Sequence, residues 1–161
     1  MLARAVILSN RRNIIPLYHV VSDHPLPHIG NLYHARTINQ FEKDLDTLCR
    51  YFIPSTLDVC ANASSGKRPF FHLTFDDGLR ECAEIVQPIL LKRGIPATFF
   101  VNNDFIGNRK VFYRFIVSLV LGQPDKKALS RALHEMGLPE KNPHETLLAM
   151  TQRDEEMLNS L

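Results

Sequence analysis

The sequence predicts an α/β fold, a small parallel sheet with helices on its crossovers, followed by a segment that is helical throughout. Three observations carry this. Apolar, β-branched or aromatic runs at 14–21, 70–75 and 96–102 read as strands, stretches of helical period lie between them, and no strand pattern follows Lys110. Strand, helix, strand, helix, strand is the order that parallel pairing with crossover connections produces.

The first strand, Ile14-Ile15-Pro16-Leu17-Tyr18-His19-Val20-Val21, carries a proline near its start, which suits an edge or entry position, and brings Tyr18 and His19 to its exit. Residues 23–31 are rich in proline and glycine and read as a loop. Thr37 is a candidate N-cap, and Phe41, Leu45, Leu48 and Phe52 recur at helical spacing, so a helix is expected over 38–51 with one apolar stripe. Residues 55–59 read as a short strand and 62–67 as a polar loop. In the strand at 70–75, Phe71, Leu73 and Phe75 point one way and His72, Thr74 and Asp76 the other. Leu79, Cys82, Ala83, Val86 and Leu90 then follow at helical spacing, with a kink expected where Pro88 removes a donor and with Gly94 as the C-cap. Phe71, Leu73, Phe75, Phe99 and Val101 are expected in the core. Beyond Lys110, residues 111–120 form a strongly apolar helix, and 126–136 and 144–158 read as amphipathic helices.

Composition bounds the function. With 161 residues, 45% hydrophobic and 22% charged, and a net charge of +2, the chain matches an average globular domain and not a disordered, collagen-like or coiled-coil class. No basic excess points to nucleic acid. The apolar runs fall far short of the ~20 residues that span a bilayer. Residues 1–12 lack the long apolar core and cleavage site of a secretory signal, so a cytoplasmic location is expected. Cys49, Cys60 and Cys82 are odd in number and widely spaced, which argues against a disulfide framework or a cysteine zinc site. No recognisable base accompanies Cys82 as a nucleophile.

The chemistry concentrates at Asp76-Asp77-Gly78. Adjacent strand residues face opposite sides, so the two carboxylates cannot form a facing pair and need different tasks. At a strand's C-terminal end, where Gly78 lets the backbone turn, one carboxylate can work as a base while the next holds a cation. Two other readings of the dipeptide are weaker. A hairpin turn conflicts with the helical period that follows, and a Mg²⁺ phosphoryl-transfer site lacks a glycine-rich phosphate loop.

Leu73-Thr74-Phe75-Asp76-Asp77-Gly78, preceded by Leu17-Tyr18-His19-Val20 and followed by Gly94-Ile95-Pro96-Ala97-Thr98-Phe99-Phe100-Val101, resembles the NodB-homology polysaccharide deacetylases of carbohydrate esterase family 4. The resemblance implies a distorted (β/α) barrel, here partial, over 14–109 as the N-terminal part of the deacetylase domain, with 110–161 a helical insertion and the domain incomplete at its C-terminus. It implies Asp76 as the general base and Asp77 as a metal ligand, with a divalent metal, Zn²⁺ first, and an acetylated polysaccharide or amino sugar as substrate. The expected reaction is hydrolysis of N-acetyl or O-acetyl groups. The rival is a truncated or degenerate, non-catalytic deacetylase-like chain, because the family's His-Ser/Thr-x-x-His motif has no counterpart after Val101, where only His134 and His144 occur. Both are expected to be surface histidines. His24 and His28 have ligand spacing, but the prolines between them prevent a helical turn. His72 is expected to be a hydrogen-bonded core residue, and His19 lies where it can support the site.

Overall fold

The structure is a computed structural model that describes residues 12–64, 68–108, 111–122, 127, 131 and 134. The expected helix over 144–158, most of that over 126–136, and His144 lie outside the described residues. The chain divides into two compact units, Met1–His24 with Ala35–Asp104, and Pro25–His34 with Phe105–Leu161.

The first unit is mixed α/β with parallel sheets. β1 (Leu17–Tyr18), β4 (Leu73–Phe75) and β5 (Ala97–Phe99) form one sheet in the order β1-β4-β5, and β2 (Ile53–Pro54) pairs in parallel with β3 (Phe70–Phe71). The ladder elements are shorter than the apolar runs. Of the run 14–21, regular pairing takes Leu17–Tyr18, with single bridges from Ile14 to Phe71 and from Val21 to Arg36. β4 is central, with Leu17 opposite Thr74 on one side and Thr98 opposite Thr74 on the other.

α1 (Ile38–Tyr51) forms as its sequence dictates. Thr37 Oγ1 accepts from the Gln40 N–H and the Gln40 side chain accepts from the Thr37 N–H, a capping box that satisfies donors the first turn would otherwise leave open. Its stripe of Phe41, Leu45 and Leu48 is buried, with Phe52 just beyond. These side chains meet Phe71, Leu73 and Phe75 in one core with Val21, Cys82, Val86, Leu90 and Ile95. The 55–59 strand is not formed: β2 ends at Pro54, and Thr56 instead caps α2 (Leu57–Asn62), its hydroxyl accepting from Val59 N–H. The hydroxyl of Thr56 selects a helix start where β-branched content alone favoured a strand.

Pro88 does not break its helix. The turn before it widens to a π-helix, Cys82–Val86, with the Gln87 N–H reaching back to the Cys82 carbonyl, and α3 (Gln87–Arg93) continues directly. A proline has no N–H for the preceding turn and its ring crowds the carbonyl four residues earlier, so one extra residue in the turn relieves both. Gly94 ends α3 in the left-handed region at φ 63°.

In the second unit, α4 (Tyr113–Leu121) packs its buried face on the loop 25–34. The buried Ser118 hydroxyl donates to the Pro27 carbonyl (2.9 Å) and accepts from Asn31 N–H (3.2 Å), while Asn31 Nδ2 donates to the Ser118 carbonyl (2.9 Å). No helix among the described residues is long and apolar enough to cross a membrane.

Candidate active site at the exit of the central strand

The Asp76 N–H donates to the Tyr18 carbonyl (3.1 Å), so the ladder carries this residue in register one step beyond β4. Asp77 then leaves the ladder with φ at +70°, and it is the sole non-glycine residue with positive φ among the described residues. A short polar side chain tolerates this conformation better than most, but it remains sparsely populated and recurs at functional sites. Gly78 follows at φ +60°, and a Cβ there would sit 3.1 Å from Val101 Cγ1. Two successive positive φ values give the turn that Asp-Gly favours, yet the chain enters a helix and not a hairpin.

The turn brings the Asp77 carboxylate to His19: Oδ2 lies 3.3 Å from Nδ1, with side-chain exposures of 21% and 37%. His19 leaves β1, and its carbonyl accepts a hydrogen bond from Cys82 Sγ (3.4 Å). Asp76 is half-buried, and its carboxylate makes no ion pair among the described residues. Adjacent carboxylates thus occupy unlike surroundings, one 3.3 Å from an imidazole nitrogen and the other without an ion pair among the described residues. Beside them lies an apolar pocket of about 210 Å³ lined by Gly78, Leu79, Cys82, Ala83, Gln87, Phe99 and Val101. Burial, then Glu81 and Asp77, push the Cys82 thiol up to about 11, so it is protonated and unreactive near neutral pH.

The donor set fits part of a zinc site. Ligands bonded at ~2.0–2.1 Å to one tetrahedral ion lie ~3.3–3.4 Å apart, which is the spacing of Asp77 Oδ2 and His19 Nδ1. A catalytic zinc takes three protein ligands, and no such group of His, Cys, Asp or Glu occurs among the described residues. His72 is a core residue. Its Nδ1 donates to the Ser55 carbonyl (2.7 Å), and its Nε2 meets Thr98 Oγ1 at 2.9 Å, tying the exit of β2 to β4 and β5. His28 packs edge-on against Phe115, while His24 and His134 are exposed. Sequence reasoning missed two features here: the apolar pocket, and a cluster of Tyr18, Asp44 and Arg36 behind β1.

The polysaccharide deacetylase family matches residues 63–147, more than half of the 161. No curated protein matches the chain. The structure is similar to that of the Streptococcus pyogenes deacetylase PplD in complex with acetate, at a TM-score of 0.49 and 16% identity. That likeness covers 72% of this chain and 62% of the other, so this chain spans less than two thirds of its length. On the family match, the chain belongs to the polysaccharide deacetylases.

Proposed function

We propose that this member of the polysaccharide deacetylase family hydrolyses N-acetyl or O-acetyl groups on a polysaccharide or amino sugar, in a reaction that depends on a divalent cation. The observation that carries the reading is the division between two neighbouring carboxylates. Asp76 stays in register at the strand end, while Asp77 turns away through a positive φ to meet His19. In acyl hydrolysis a water adds to the acyl carbon as its proton passes to the Asp76 carboxylate, and collapse of the tetrahedral adduct breaks the acyl–nitrogen or acyl–oxygen bond, the proton held by Asp76 leaving with the amine or alcohol and the acyl group leaving as acetate. Asp77 is the metal ligand and His19 its companion donor. A divalent cation bound there, Zn²⁺ by the chemistry of the donors, supplies a Lewis acid for the acyl oxygen. In this reading the parallel strands are part of a distorted (β/α) barrel over 14–109, and 110–161 is a helical insertion.

One observation favours a second reading, a chain of this family without turnover of its own: the two donors are not joined by a third among the described residues. The test is acetate release from acetylated chito-oligosaccharides and peptidoglycan fragments with Zn²⁺ or Co²⁺ added. Turnover that disappears in Asp76→Asn supports the catalytic reading. Turnover that survives Asp76→Asn removes Asp76 as base, and no turnover by the parent chain with either metal selects the second reading.

A further inference from the structure

The segment that carries His19 is tied at both ends to one residue outside the site. Before His19, the Tyr18 hydroxyl donates to Asp44 Oδ2 on α1 (3.1 Å), and Arg36 grips the same carboxylate with two donors, Nε to Oδ2 at 2.9 Å and Nη2 to Oδ1 at 2.6 Å. After His19, the Ser22 N–H donates to the Arg36 carbonyl (2.8 Å), and Val21 and Arg36 form a parallel bridge. The circuit is closed: Tyr18 side chain, Asp44, Arg36 side chain, Arg36 backbone, Ser22. His19, Val20 and Val21 lie between its two ends. The Tyr18 carbonyl also accepts from Asp76 N–H, so the residue that starts the circuit holds the base as well.

Packing alone does not need this circuit. The Tyr18 ring stacks on Phe75 (5.6 Å) and meets Phe41 edge-on (5.3 Å), contacts that a phenylalanine would make equally well. A half-buried phenol on a carboxylate costs desolvation that a phenyl ring avoids, and what a forked, charge-assisted network adds is direction. The consequence falls on the two residues nearest the end of the circuit, His19 and Asp76.

We propose that Arg36, Asp44 and Tyr18 are positioning residues that clamp the exit of β1 and thereby set His19 against Asp77 and the backbone of Asp76. The functional meaning of the clamp rests on the reading of Asp76, Asp77 and His19 as a deacetylase site; its geometry does not. The test is nuclear magnetic resonance on the full chain at constant pH, following the ring nitrogens of His19 and the amides of Asp76, Asp77 and Gly78 in Tyr18→Phe, Arg36→Ala and Arg36→Lys. Arg93→Ala is the control, because it removes a comparable surface pair, Arg93 Nη1 on α3 to Asp46 at 2.6 Å, whose carboxylate is on the same helix as Asp44 and which does not involve β1. The expected result is a shift of the His19 and Asp76–Gly78 signals in Tyr18→Phe and Arg36→Ala, partial recovery in Arg36→Lys, and no shift in the control. His19 and Asp77 signals at parental positions in Arg36→Ala would overturn the proposal, as would shifts of equal size in the control. Should Tyr18→Phe fail to fold, Arg36→Ala at the exposed end of the circuit gives the answer alone. A chain that shows these shifts but releases no acetate keeps the clamp and loses the catalytic reading.

Discussion

The two flanks of the central strand are built differently. On the β1 side, Phe75 stacks on Tyr18 and Phe41 closes over both, and the strand exit is stitched to Arg36 and Asp44. On the β5 side, Phe99 also stacks on Phe75 at 5.0 Å, but the residues after it leave the core: Phe100 is 51% and Val101 56% exposed. The same strand therefore has one flank fixed by interlocking rings and polar ties and one flank open beside an apolar pocket. The candidate site residues make their contacts on the β1 flank. Asp76 bonds to Tyr18, and Asp77 turns toward His19, which is also on that side.

The largest expected effect tests whether the rings bind the flanks into one core. Phe75 is fully buried, so Phe75→Ala removes contacts to both flanks and is expected to cost about 3–5 kcal/mol in denaturant unfolding. Phe100→Ser on the open flank is expected to change stability by less than about 0.5 kcal/mol. A large loss from Phe100→Ser would mean that the open flank is covered in solution.

Two glycines sharpen the same point. Gly94→Ala places a Cβ in open space at φ +63°, so its cost, about 1 kcal/mol, is backbone strain alone. Gly78→Ala carries the same strain at φ +60° and adds a contact at 3.1 Å to Val101. If the Val101 side gives way freely, the two unfolding free energies agree; if it is held, Gly78→Ala costs about 1–2 kcal/mol more.

A smaller effect comes from the phenol. Burial first, then Asp44, raise the Tyr18 pKa well above its ordinary 10.0. A group whose folded pKa is raised gives stability that is complete below the unfolded pKa and is lost as pH rises past it toward the folded value. Thermal unfolding of the parent chain should therefore fall above pH ~10 more steeply than that of Tyr18→Phe, which should be about 1 kcal/mol less stable at neutral pH. Parallel curves for the two proteins above pH ~10 would remove the Tyr18–Asp44 bond from the account.

Local signals were legible in the sequence and long-range ones were not. Thr37 with Gln40 and the Phe41, Leu45, Leu48 stripe specify α1 within one stretch of chain, and alternation sends Phe71, Leu73 and Phe75 into the core. The motif at Asp76-Asp77-Gly78 located the candidate site and its strand-end setting. Val101 reads as core by composition but lies on the open flank, because burial there depends on what covers β5 and not on residue type. Residues 55–59 form a run too short to distinguish the two periods, and the capping hydroxyl of Thr56 selects the helix. The His19–Asp77 pair and the Tyr18, Asp44, Arg36 circuit depend on the β1–β4 register and on the docking of α1, which join residues far apart in sequence.

Zn²⁺ affinity tests most directly whether the two adjacent carboxylates, Asp76 and Asp77, have different roles. Titrating Zn²⁺ into the parent chain, Asp76→Asn and Asp77→Asn by calorimetry should give weak binding in the parent, affinity within about threefold of it in Asp76→Asn, and a loss of about tenfold or more in Asp77→Asn. Equal losses in the two variants would contradict the division of base from ligand.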